Sequence, residues 1–202
     1  FPKNKILVDL KTMDAGFYEA EPFYKAGADI CTVLGTADLG TIKGVVDVAN
    51  KYGKECQVDL INVTDKPARA KEAVKLGAHI IGVHTGLDAQ AAGGTPFIDL
   101  GAIAGLGMKC KISVAGGIKP ATVKQVVAAG ANIVVAGAAI YGAADPAAAA
   151  AEITGLAREA DGGAGADGRR HPGQQRRLPR LRGPRRRSVD AAAGLPAHPP
   201  SA

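Results

Sequence analysis

Six short apolar runs rich in β-branched residues recur along the chain, at residues 6–10, 30–34, 58–61, 80–83, 112–114 and 133–136. Each is close to continuously apolar rather than alternating, the pattern of strands in a sheet buried on both faces. Between and after them lie segments of helical period, at 18–26, 39–52, 66–76, 98–106, 120–129 and 145–156. Three of these helices run out at Gly27, Gly77 and Gly130, just before the next strand. A glycine past the last turn takes the left-handed conformation at no steric cost. Regular alternation of strand and helix predicts parallel βα units, and the sequence contains six.

Six units suit either a doubly wound sheet or part of a barrel. The polar residues decide between them. Asp9, Asp59, His84, Gly116, Gly117 and Gly137 all fall at or just beyond the C-terminal ends of the expected strands. In a barrel those ends form one face, where several strands converge on a single ligand. The expectation is therefore an α/β fold, a (β/α)8 TIM-type barrel truncated to about six βα units, with the first two units absent from this chain.

Composition changes this picture at one place. All 14 Lys lie before Arg158, and 10 of the 11 Arg lie from there on. Acidic and basic residues balance up to Ala157, so the net charge of +6 belongs to the final segment. The expected domains are a partial (β/α) barrel over 1–157 and an Arg/Pro/Gly/Ala-rich tail over 158–202. The tail has too little apolar side chain to offset its ordering entropy and is expected to be disordered. Three readings of it compete: a phosphate-binding basic arm, a solvated linker, and the product of a frameshift in a GC-rich gene. The frameshift is favoured. Nucleic acid is disfavoured as a partner because the tail has no aromatic residue for base stacking.

No apolar stretch is long enough for a transmembrane helix, and the first residues do not read as a signal peptide. Cys31, Cys56 and Cys110 are odd in number and widely spaced, which argues against a disulfide framework or a zinc site. They read as buried reduced thiols, and the expected location is cytoplasmic.

Four groups of residues carry chemistry. Asp9-x-Lys11-x-x-Asp14 closes the first strand. A period of two at a strand end puts Asp9 and Lys11 side by side on one face, where carboxylate and ammonium keep each other charged. A carboxylate there suits Mg²⁺, and the ammonium suits a developing enolate; a surface salt bridge is the plain alternative. His84 ends its strand as a candidate proton shuttle, whereas His79 begins the same strand and has no catalytic part. Gly116-Gly117 and Gly137-Ala138 form turns that bring backbone N–H groups close to a phosphate. Asp59 either bonds a substrate hydroxyl, orients His84 or caps a neighbour, and Asp88 reads as a helix cap.

The stretches Asp9 to Gly16, Thr32 to Gly35, His84 to Asp88, Ser113 to Gly117 and Ala136 to Gly142, taken in order, resemble the 3-hexulose-6-phosphate synthases. That family lies in the orotidine 5′-phosphate decarboxylase suprafamily of barrels. The resemblance spans about residues 5 to 157. It implies a lyase that condenses formaldehyde with D-ribulose 5-phosphate in the ribulose monophosphate pathway, with Mg²⁺, or Mn²⁺ in its place, as cofactor. It implies Asp9 as a metal ligand, Lys11 as partner of the enediolate and His84 as the acid/base. Asp14 is implied as a residue given across a homodimer interface, and Gly116, Gly117, Gly137 and Ala138 as the phosphate cradle. The related 3-keto-L-gulonate-6-phosphate decarboxylases carry Glu at Asp59, Arg at Leu87, Thr at Ala115 and Arg at Ala138. This sequence follows the synthase at all four, and orotidine 5′-phosphate decarboxylase fits less well still.

Two acidic residues that the family places on its first two strands have no counterpart here. An inactive fragment, or a protein acting through its basic tail, is therefore the reading from another class. Fusion to an isomerase is disfavoured, since the tail shows no pattern of a second α/β domain.

Overall fold

The computed structural model describes residues 3–165, which all lie in one compact unit. The expectations for 166–202 lie outside the described residues. The element order is β1 (Leu7–Thr12), α1 (Gly16–Lys25), β2 (Ile30–Leu34), α2 (Leu39–Lys51), β3 (Glu55–Asp59), α3 (Lys66–Lys75), β4 (Ile80–His84), α4 (Leu87–Ala91), α5 (Phe97–Ala104), β5 (Lys111–Ala115), α6 (Pro120–Ala128), β6 (Ile133–Val135), α7 (Ala138–Tyr141) and α8 (Pro146–Gly165). The six strands pair in sequence order, each parallel to the next. They form the curled sheet of a truncated TIM-type barrel.

Local signals place the helices. Asp65 caps α3 by accepting the Ala68 N–H at 3.0 Å, with Pro67 in the first turn, where its missing N–H costs nothing. Gly77 and Gly130 adopt φ of 97° and 108° after their helices, as the pattern predicts. The close packing of α1 on α2 needs Gly16: a Cβ there would lie 2.1 Å from the Thr41 carbonyl oxygen.

The two faces of the sheet differ. Cys31, Val33, Cys56, Val58, Ile81, Val83, Ile112 and Val114 point to the helices and join the buried core with Ala20, Ile42, Val45, Leu100, Ile103 and Val123. At period two between them, Thr32, Gln57, Asp59 and Ser113 are buried on the other face. The strands are thus buried on both sides as expected, but the second side mixes Ile30 and Ile80 with these polar residues.

Several boundaries differ from the sequence pattern. β3 covers Glu55–Asp59 rather than 58–61, because Asp59 Oδ1 accepts the Ile61 N–H at 2.9 Å and turns the chain there. The short helices α4 and α7 carry no buried residue, so no apolar stripe announces them. Asp88 does not cap a helix: it sits inside the first turn of α4, whose N-cap is Gly86. α8 continues past Ala157 to Gly165. Cys31 and Cys56 are buried in β2 and β3, Cys110 is half-buried just before β5, and all three are free. No helix among the described residues is long and apolar enough to cross a membrane.

Candidate active site

β1 does not run as a regular strand. Val8 pairs with Cys31 and Thr12 with Val33, so three residues of β1 face Thr32 alone. Within this bulge Lys11 takes φ 49°. Asp9 and Lys11 do meet, Nζ to Oδ2 at 3.4 Å, but the bulge brings them together and not the simple pleat period. Lys11 Nζ also bonds Asp59 Oδ2 at 2.6 Å.

Asp59 ends β3 and is 2% exposed. Its Oδ2 takes both Lys11 and His84 Nδ1, the latter at 2.9 Å. Burial alone would raise its pKa, but the hydrogen bonds from His84, Lys11 and the Ile61 N–H outweigh burial and hold it below the usual carboxylate value. Burial alone would lower the pKa of Lys11, and Asp59 and Asp9 raise it on balance. An ionised Asp59 only accepts hydrogen bonds, so Nδ1 of His84 carries the hydrogen. Neutral His84 then keeps its lone pair on Nε2.

Gly116 and Gly117 follow β5 with φ of 107° and 66°. A Cβ on Gly116 would lie 2.4 Å from the Thr85 carbonyl oxygen, so only glycine fits where this turn meets the loop after β4. Gly137 and Ala138 follow β6 at the start of α7.

One cavity of about 360 Å³ gathers Asp9, Lys11, Asp59, His84, Gly116, Gly117, Gly137 and Ala138 in its lining. Asp14 does not join them. It lies exposed before α1, with Oδ1 accepting the Ala15 N–H at 2.6 Å. His79 lies at the other end of β4, where its Nδ1 accepts the Cys56 N–H.

Three polar residues belong to this region that the sequence pattern did not single out for chemistry. Gln57 and Ser113 line the cavity, and Thr32 bonds both Asp9 and the Lys11 N–H. Gln57 Oε1 is buried with no hydrogen-bond partner among the described residues. Thr32 and Ser113 each interrupt an apolar run at one position, which was the available signal, whereas Gln57 lies before the apolar run read at 58–61.

No group of three or more His, Cys, Asp or Glu among the described residues is arranged to hold a metal ion. Both Asp59 oxygens are committed. Asp9 is half-exposed, with Oδ1 on Thr32 and Oδ2 at the long distance from Lys11. That one carboxylate fits the manner in which Mg²⁺ binds, through one or two carboxylates with substrate oxygens and water completing its shell.

Residues 2–153 match the orotidine 5′-phosphate decarboxylase / HUMPS family. A 3-hexulose-6-phosphate synthase of Methylomonas aminofaciens is 79% identical over 158 residues, covering 78% of this chain and 76% of that one. The crystal structure of a 3-hexulose-6-phosphate synthase from Salmonella typhimurium superposes with a TM-score of 0.76 at 42% identity, covering 79% and 75% of the two chains. A 3-keto-L-gulonate-6-phosphate decarboxylase from Vibrio cholerae superposes at 0.66 with 28% identity, over 78% and 74%. The decarboxylases are thus the more distant relatives. The chain belongs to the orotidine 5′-phosphate decarboxylase / HUMPS family, on the branch of the 3-hexulose-6-phosphate synthases.

Proposed function

We propose that this chain condenses formaldehyde with D-ribulose 5-phosphate to D-arabino-3-hexulose 6-phosphate, and catalyses the reverse cleavage, in this cavity. The observation that carries the reading is the buried Asp59 carboxylate joining Lys11 Nζ and His84 Nδ1 beside two glycine turns. It supplies a base, a fixed cation and a phosphate cradle in one place. Leu87 and Ala138 line the same cavity, so the two positions where the decarboxylases carry arginine offer no cation for a substrate carboxylate.

Gly116, Gly117, Gly137 and Ala138 hold the phosphate through backbone N–H groups. His84 Nε2 takes the C1 proton of the sugar. Lys11 Nζ stabilises the charge that develops on the C2 oxygen of the enediolate. C1 then forms the new bond to the formaldehyde carbon as the C2 carbonyl re-forms, and the former carbonyl oxygen of formaldehyde takes the proton that His84 Nε2 had accepted. Asp9 would hold Mg²⁺, or Mn²⁺, which supplies Lewis-acid polarisation of the sugar oxygens. Asp14 lies away from its own cavity, and we assign it to the cavity of a second copy in a homodimer. Met13, Tyr18 and Leu39 on the flanking segments are exposed apolar side chains that such a contact would cover.

The test is formaldehyde-dependent loss of ribulose 5-phosphate with the 202-residue chain and added Mg²⁺. Loss that requires formaldehyde supports the reading. Release of CO₂ from a 3-keto sugar-acid phosphate, with no condensation, replaces it by the decarboxylase reading. Neither activity makes the chain an inactive member of its family.

A further inference from the structure

Thr32 sits in the middle of β2 with 1% of its surface exposed. Its Oγ1 accepts the Lys11 N–H at 2.9 Å and donates to Asp9 Oδ1 at 2.8 Å. The directions are fixed by chemistry. An amide N–H only donates, so the hydroxyl keeps its own hydrogen for the carboxylate. A valine of the same shape could make neither bond.

The position of this hydroxyl matters because the β1–β2 ladder lapses between Val8 and Thr12. The Lys11 amide sits in that lapse, in the left-handed conformation that side-chain-bearing residues seldom adopt. Thr32 supplies the bond that the ladder does not. Turned in this way, Lys11 reaches Asp59 at 2.6 Å and Asp9 Oδ2 at 3.4 Å. The same hydroxyl engages Asp9 Oδ1 and leaves Oδ2 as the oxygen nearer the ammonium.

We infer that Thr32 is a positioning residue, which through one hydroxyl sets the left-handed turn at Lys11 and the orientation of the Asp9 carboxylate. It is not among the residues that line the cavity. Its value to the reaction rests on the function proposed above, while its value to the turn does not.

The experiment compares Thr32→Val, Thr32→Ala and Thr32→Ser in the full chain. Two readings are taken: hydrogen exchange of the Lys11 amide without ligand, and kcat and KM for the condensation. With the hydroxyl gone, exchange at Lys11 should speed up by about tenfold, the worth of one ordinary hydrogen bond. kcat should fall by about 10²-fold, the scale of a small misplacement of reacting groups, with a much smaller change in KM. Thr32→Ser should restore both. If Val does not fold, Ala against Ser makes the same comparison. Unchanged Lys11 exchange in Val or Ala overturns the inference, as does a serine variant no better than alanine. If the unmodified chain does not condense formaldehyde, the proposed function falls, and the exchange comparison still decides the role of Thr32.

Discussion

Asp59 joins Lys11 and His84 in the cavity, and the Asp59–Lys11 pair sets two pH limits. The folded pKa of Asp59 lies below the unfolded value of about 3.9, and that of Lys11 lies above the unfolded value of about 10.4. The carboxylate therefore contributes stability above the unfolded Asp value, and this is lost as pH falls through the folded one. Lys11 contributes stability below the unfolded Lys value, lost as pH rises through its folded one. The stability difference between the unmodified chain and Asp59→Asn should shrink as pH falls through the folded Asp59 value and again as pH rises through the folded Lys11 value. Melting temperatures of both proteins across pH give the answer, and parallel curves at all pH values would refute the linkage. At His84 the expectation concerns rate. His84→Ala should slow exchange of the C1 proton of ribulose 5-phosphate with solvent by about 10²-fold, followed by NMR in deuterated water. Equal exchange in both proteins would remove His84 as the base. Asp9, Lys11 and His84 were legible in the sequence because chemistry at a strand end stands apart from the apolar run before it. Thr32 was not, because only its partners reveal its purpose.

Within β3 a single step along the chain changes what a residue does. Val58 points to the helices and is fully buried, and Asp59 points into the cavity. Val58→Ala should lower stability by about 1–3 kcal/mol through the space it leaves and leave KM nearly as it was. Asp59→Asn should instead reduce turnover far more than Val58→Ala does. Denaturant melts and steady-state kinetics on the pair test this, and a large KM change in Val58→Ala would contradict the division of faces. Glycines give a second contrast. Gly101 lies within α5 with nothing within 4 Å of a Cβ, so Gly101→Ala should stabilise by roughly 0.5–1 kcal/mol. Gly16→Ala should destabilise, since its Cβ would meet the Thr41 oxygen. The strand and helix succession was readable because it rests on apolar period and glycine stops. The β1 bulge was not, because the bond that holds its turned Lys11 amide comes from a hydroxyl on a neighbouring strand.

At the scale of the whole molecule two surfaces invite self-association, and they differ in consequence. One is the open side of the sheet: among the described residues β1 and β6 each pair on one side only, and Ile6, Leu7 and Val135 beside those edges are exposed apolar residues. Unpaired edge groups favour indefinite pairing with other chains. The other is the neighbourhood of Asp14, where Met13 and Tyr18 are exposed, Tyr18 at 80%. If the homodimer proposed above uses this second surface, Tyr18→Glu should turn a dimer into a monomer and lose activity, because each cavity then lacks the Asp14 of the other copy. Ile6→Lys should act differently. A lysine at an edge discourages edge pairing, so it should reduce larger species while sparing the dimer and its activity. Sedimentation velocity with parallel assays separates the two. A Tyr18→Glu monomer with full activity would show that each chain completes its own cavity, and Asp14 would lose its assigned role. A dimer dissolved by Ile6→Lys would place the contact at the sheet edge instead.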